Sequence, residues 1–168
     1  MKCMTALIVL FHLVEVLRAQ RVVSVQDGDS YTILHNGFKQ RVRLVQVDAP
    51  ELSQPMGIFV REQVNKMLYR KKVKIERVGV DQHGRWLVKM WVDGQALDSL
   101  LIRRGWGWYY PSKGQSDRLL MQMELIAKNM RTGVWSCERP VPPWIWRRMN
   151  EASRRLHDVC SFLPQVPP

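Results

Sequence analysis

Asp27-Gly28-Asp29, Asp48-Ala49-Pro50-Glu51 and His83-Gly84-Arg85 each fall where a β-rich run ends, and Arg43 precedes Asp48 within RVRLVQVDAPE (41–51). Two aspartates and a backbone carbonyl suit a hard cation such as Ca²⁺, which accepts flexible all-oxygen coordination. Arginine offers a planar fork that matches phosphate oxygens. A glutamate close to both can orient or deprotonate a water. Together these parts describe hydrolysis of a phosphodiester, with positive charge meeting the negative charge that builds as water attacks. Each part also has a plainer reading. Asp27-Gly28-Asp29 is good turn chemistry, lone arginines are common surface ion-pair partners, and Glu51 could cap a following helix.

Geometry sets a condition on the sharper reading. Side chains alternate along a strand, so Arg43 and Asp48, five residues apart, face opposite sides of a regular one. A bulge or strong bend between them is required, and bulges favour barrel rims beside active sites. Pro50 ends the ladder and keeps Ala49 extended.

The elements that must position these residues are legible as patterns. VVSVQ (22–26), SYTIL (30–34) and FKQRVRLVQV (38–47) read as three strands, the last two joined by His35-Asn36-Gly37. Asn-Gly between β-rich runs is a strong hairpin signal. KKVKIERVGV (71–80) and RWLVKMWV (85–92) form a second β block across Asp81-Gln82-His83-Gly84. Val60, Val64, Met67 and Leu68 have helical spacing. Leu97, Leu100 and Leu101 mark a short second helix. Leu119, Met123, Ile126, Ala127 and Met130 mark a third, stopped at Gly133, with its methionines read as core filling. The order suits an α+β fold: a five-stranded Greek-key β-barrel of oligonucleotide-binding type with three packed helices.

Composition narrows the partner. The chain carries 26 Lys+Arg against 15 Asp+Glu, a net +11 with pI near 10.1, which favours a polyanion: nucleic acid or an anionic membrane surface. Residues 1–19 resemble a secretory signal, with Lys2 ahead of a mostly apolar run and Ala19 before the cut. The run is too short to span a bilayer comfortably. The alternative for this segment is an amphipathic helix of the folded domain. Residues 20–136 read as the barrel domain and 137–168 as an extension rich in Pro, Trp and Arg that wraps the surface. Cys137 and Cys160 are candidates for a disulfide pinning the tail, although two cysteines alone do not decide pairing. With His157 they form only a weak candidate metal set. His35 and His157 read as solvated. Trp106, Trp108, Trp144 and Trp146 read as core or covering residues before base-stacking ones.

DGDS, RLVQVDAPE, HGRWL and the closing GVWS occur in an order that resembles the staphylococcal nuclease (thermonuclease) family over about residues 20–136. The resemblance implies a calcium-dependent endonuclease acting on DNA and RNA and leaving 3′-phosphate and 5′-hydroxyl ends. It implies Asp29, Asp48 and the Ala49 carbonyl as metal ligands, Arg43 and Arg85 as catalytic phosphate-contacting arginines, and Glu51 as general base. Ala49 stands where the family commonly has threonine. His83 replaces a tyrosine near the nucleotide, so Tyr109 or Tyr110 becomes the candidate substrate-binding aromatic. The short loop LSQPMG and the run VPPWIWRR look more like the exported Gram-negative branch of the family. A secreted or periplasmic monomer follows as the expectation. The alternative is a barrel of the same fold that binds nucleic acid without cutting it. Degenerate copies lose the acids or arginines, and Asp29, Asp48, Arg43, Arg85 and Glu51 are all kept here.

Overall fold

The computed structural model describes residues 20–111, 116–157 and 160. The expected signal segment, 1–19, lies outside the described residues. Strands β1 (Gln20–Val25), β2 (Ser30–His35), β3 (Phe38–Leu44), β5 (Lys72–Val80) and β6 (Trp86–Val92) make the barrel. β4 (Val47–Asp48), β7 (Gln95–Ala96) and β8 (Trp108–Tyr109) are short additions. Antiparallel pairing runs β3-β2-β1-β5-β6. The parallel pairing of β3 with β6, in register Val42↔Trp86 to Leu44↔Val88, closes the ring. The result is a closed five-stranded mixed barrel with helices packed on it, an α+β fold of oligonucleotide-binding type.

Two tight hairpins follow from their turn residues. Asn36 and Gly37 both have positive φ, 50° and 83°, and sit between the paired His35 and Phe38. Asp93 and Gly94 repeat this at 48° and 79°, between Val92 and Gln95. Both positions of such a turn need positive φ, which glycine and Asn or Asp supply most cheaply. Register shifts between Val22 and Ser24 and between Arg77 and Gly79 bend β1 and β5 around the ring.

Helices α1 (Gly57–Leu68), α2 (Leu97–Arg103) and α3 (Arg118–Asn129) correspond to the three expected from apolar spacing. Val60, Val64 and Leu68 of α1 and Leu97, Leu101 and Ile102 of α2 are buried with Val22, Tyr31, Ile33, Val42, Val88 and Met90. Each fully buried aliphatic side chain contributes roughly 1.5–3 kcal/mol by leaving water. In α3 the expected inward face is only partly right. Leu120 and Ala127 are buried and Met123 is packed on the core, while Leu119, Ile126 and Met130 are exposed. Met121 is exposed as well, so the methionines of this helix are not all core filling.

After the 3₁₀ turn Gly133–Ser136 the chain runs back across the barrel mouth as a strap containing α4 (Pro143–Trp146) and α5 (Glu151–Arg155). Cys137 and Cys160 are joined in a disulfide that closes this segment. The weak metal set of those cysteines with His157 is thereby excluded, because disulfide sulfur is no thiolate ligand. His157 is half-buried with its Nδ1 sealed from solvent, and His35 meets the Trp86 ring edge-on at 5.1 Å and hydrogen-bonds Gln20. Neither is simply solvated.

Candidate active site

β3 does not continue to Val47. It stops at Leu44, Gln46 takes φ +64°, and the chain restarts as β4, paired with β8 through Val47↔Tyr109 and Asp48↔Trp108. The expected single strand 38–47 is therefore wrong. The break supplies the bend required for Arg43 and Asp48 to meet, since it undoes the strand alternation between them. The Gln46 carbonyl accepts a hydrogen bond from the Tyr110 N–H at 3.0 Å, which holds the bend.

The other aspartate arrives from the turn before β2. Asp27 Oδ1 accepts the N–H groups of Asp29 and Ser30 at 3.0 and 2.7 Å, so Asp27 is a turn-forming residue, as its plainer reading held. The turn lies close against the Pro50 corner. A side chain on Gly28 would come within 2.5 Å of Ala49 Cβ and 2.8 Å of Val60 Cγ1. The Tyr31 hydroxyl, buried beneath, donates to the Gly28 carbonyl at 2.5 Å.

Arg43 joins the two acids. Its Nη1 donates to Asp29 Oδ1 and its Nη2 to Asp48 Oδ1, each at 2.8 Å. Asp29 Oδ1 also accepts from Ser30 Oγ at 2.9 Å, and its Oδ2 accepts from the Ala49 N–H at 2.8 Å. Both aspartates are only 2% exposed. Burial pushes the Asp29 carboxyl up to about 7 against the pull of the Arg43 guanidinium. Burial works against the charge on Arg43 too, but Asp29 and Asp48 outweigh it and hold its pKa above the ordinary arginine value.

Glu51 lies in the turn that leads into α1. Its N–H donates to Gln54 Oε1 at 3.1 Å, and its carbonyl accepts the Gln54 N–H at 2.9 Å. It is not the cap of α1, whose N-cap position is Met56. Arg85 stands further off. Its Nε donates to Asp81 Oδ2 at 2.6 Å within its own hairpin, and its Nη1 reaches Ser30 Oγ at 3.4 Å, one hydroxyl away from Asp29. Among the described residues, Asp29, Arg43 and Asp48 thus come together directly, Glu51 joins them only through the Arg147 guanidinium, and Arg85 is linked through Ser30.

The candidate aromatics differ from each other. The Tyr109 hydroxyl accepts the Asp117 N–H at 2.7 Å, inside the fold. Tyr110 is 50% exposed and leans on Trp144 with ring centroids 5.3 Å apart. Trp108 and Trp146 are buried, in keeping with core or covering roles.

Sequence reasoning missed one residue. Arg147, at the end of α4, donates from Nη2 to Asp48 Oδ2 at 2.9 Å and from Nη1 to Glu51 Oε1 at 2.6 Å. Hydrogen bonds to Asp48, and then to Glu51, raise its pKa well above the ordinary arginine value. The only hint was the run VPPWIWRR, and nothing in an Arg-Arg doublet shows which arginine turns inward.

The donor set has a definite chemistry. Among the described residues, no three His, Cys, Asp or Glu side chains gather as a metal group. What does gather is a pair of buried carboxylates that share the Arg43 guanidinium, with Arg147 on Asp48 as well and the Ala49 N–H on Asp29. Carboxylate oxygens are hard donors, which fit Ca²⁺ or Mg²⁺ and do not suit a thiolate- or imidazole-seeking metal.

Residues 41–137 match the family of staphylococcal nuclease homologues. An "uncharacterized endonuclease" of Escherichia coli O157:H7 is 34% identical over 128 residues, covering 76% of this chain and 83% of the relative. A micrococcal nuclease of Shigella flexneri is 31% identical over 140 residues, 77% of this chain and 80% of the relative. A probable staphylococcal-like nuclease of Oryza sativa subsp. japonica is 34% identical over 145 residues, which is 78% of this chain and 44% of that protein. By sequence match and by its closed five-stranded barrel, this chain belongs to the staphylococcal nuclease family.

Proposed function

We propose that the protein is an endonuclease that hydrolyses phosphodiester bonds of DNA and RNA in a Ca²⁺-dependent reaction, leaving 3′-phosphate and 5′-hydroxyl ends. The observation that carries the reading is the meeting of Asp29, Asp48 and Arg43 at one bend of the barrel mouth, with Glu51 tied to Asp48 through Arg147. Family membership supports nuclease activity, and a net +11 supports a polyanionic substrate.

In this reading Asp29, Asp48 and the Ala49 carbonyl hold the cation. When bound, such an ion would supply positive charge to offset the charge that builds on the phosphoryl group. Glu51 takes a proton from the attacking water, whose oxygen bonds to phosphorus. The bond from phosphorus to the 5′ oxygen breaks, and that oxygen leaves as a hydroxyl after taking a proton from solvent. Arg43 and Arg85 donate to the non-bridging phosphoryl oxygens, whose charge grows as water attacks. Tyr110, open to solvent and next to the bend, offers a face on which a base can stack.

The expected setting is secreted or periplasmic, resting on the N-terminal segment and on a disulfide that persists in oxidising compartments. The expected form is a monomer. Among the described residues no helix is long and apolar enough to cross a membrane.

The test is cleavage of single-stranded DNA by residues 20–168 in Ca²⁺, Mg²⁺ or chelator, with the product ends typed, beside Glu51→Gln. Cutting to 3′-phosphate ends that stops in chelator is expected. The variant should lose on the order of 10²–10⁴-fold in rate, the usual contribution of a general base. Tight binding by folded protein with no cutting in either metal would leave a non-catalytic barrel.

A further inference from the structure

Arg147 lies ten residues beyond the stretch that matches the family, yet its guanidinium touches both Asp48 and Glu51. The segment that delivers it is built onto the turn that carries Glu51. Gln54, buried, accepts the Glu51 N–H through Oε1 and donates through Nε2 to the Val141 carbonyl of the strap. Trp146, only 2% exposed, donates its indole N–H to Ser53 Oγ in the same turn at 3.2 Å. Arg154 in turn donates to the Trp146 carbonyl, with its guanidinium 5.4 Å from the Trp146 ring centre. The Cys137–Cys160 disulfide ties the two ends of the strap together. Backbone, indole and guanidinium all meet the short run from Glu51 to Gln54.

We propose that Arg147 is a positioning residue for Glu51, so that the working site includes the strap and does not end with the barrel. The inference rests on the nuclease reading above, with Glu51 as base. A glutamate side chain has three rotatable bonds, and about a third of the Glu51 side chain is open to solvent. Left alone, such a carboxylate samples several rotamers. Among the described residues Arg147 is the cation that pairs with it, and by gripping Asp48 as well it fixes the Glu51 carboxylate relative to a candidate metal ligand. The planar fork suits this two-acid bridge, and a lysine ammonium reproduces the charge without the fork. The grip is on Glu51 Oε1, and a carboxylate has a second oxygen with which to accept a proton.

The experiment compares Arg147→Gln, Arg147→Lys and Arg147→Ala with the parent and with Arg148→Gln, which removes the same charge from the neighbouring exposed arginine. Circular dichroism and thiol titration check that each variant is folded with its disulfide closed. Misplacing a catalytic group by about an ångström can cost on the order of 100-fold. Arg147→Gln is expected to lower kcat on that scale with KM changed by less than about threefold, and Arg147→Lys to recover part of it. Single-stranded DNA affinity, measured by fluorescence anisotropy in chelator, should change by less than about threefold in Arg147→Gln, because the role is not phosphate capture. Millimolar guanidinium chloride should raise kcat of Arg147→Ala severalfold and leave the parent unchanged. Arg148→Gln should match the parent.

Parental kcat in Arg147→Gln would overturn the inference while leaving the nuclease reading intact. Raised activity or a lowered metal requirement in that variant would overturn it in favour of a blocking strap. A rise in KM with unchanged kcat would overturn it in favour of substrate binding. A parent that cuts in neither Ca²⁺ nor Mg²⁺ would remove the nuclease reading, and this inference with it.

Discussion

Arg43 holds two buried acids together. Two nearly water-free carboxylates repel each other, and the guanidinium between them offsets both the repulsion and the burial. Arg43→Gln keeps some hydrogen-bonding capacity but leaves the acids without that charge. We expect it to cost about 3 kcal/mol of stability, the usual scale for breaking a buried pair, read as a lower urea midpoint. Added Ca²⁺ should restore part of the loss if the acids hold a cation, since a ligand that binds only the folded state stabilises it. At this scale much was legible. Asp29, Arg43, Asp48 and Glu51 stood out because their types fit one reaction, and the structure brings them together. Arg85 was legible as a residue, but its hold on Asp81 was not. Arg147 was illegible, because its partners lie nearly a hundred residues away in sequence and no periodicity links them.

At the scale of elements, the bend at Val45-Gln46 decides whether a site exists. Its need was deducible from strand alternation, and its place was not, since VRLVQV has strong β-forming character throughout. The pairing of Val47 and Asp48 with β8 overrides that propensity. Gln46 carries the cost, holding φ +64° without being glycine. Gln46→Gly should therefore be neutral or stabilising by up to about 1 kcal/mol. Gln46→Val should cost roughly 1–3 kcal/mol, because a β-branched residue fits that region poorly. Urea denaturation of the two variants checks both signs, and a stable Gln46→Val would show that the bend does not depend on this backbone state. Helix α3 teaches the reverse lesson. Its apolar spacing correctly announced a helix, but Leu119, Ile126 and Met130 lie outward. Apolar residues sit almost all round this helix, so the pattern alone did not choose the face.

For the whole molecule, the barrel and the strap form one unit. Trp146, Pro143 and Cys137 are buried, and the strap hangs on Gln54 and Ser53. The disulfide spans a sequence separation of 23, for which loop-closure entropy gives about 3 kcal/mol of stabilisation. Reduction, or the paired change Cys137→Ser with Cys160→Ser, should lower the unfolding free energy by up to that amount. Denaturation with and without reductant measures it. A change below about 0.5 kcal/mol would mean that the Trp146 anchor alone holds the strap.

What the sequence determined by itself is what depends on neighbours along the chain. Asn36-Gly37 and Asp93-Gly94 make tight turns wherever they flank strands, Val60, Val64 and Leu68 make one face of a helix, and the order of motifs through RLVQVDAPE points to the family. Tertiary structure decided what depends on closure. Only once β3 pairs with β6 and the Gly28 turn packs against Ala49 do Asp29 and Asp48 share the Arg43 guanidinium. Only the disulfide-tied strap carries Arg147 to Glu51. Short-range steric preferences act over a few residues and can be read in order, whereas contacts between distant segments exist only after the whole chain has buried its core.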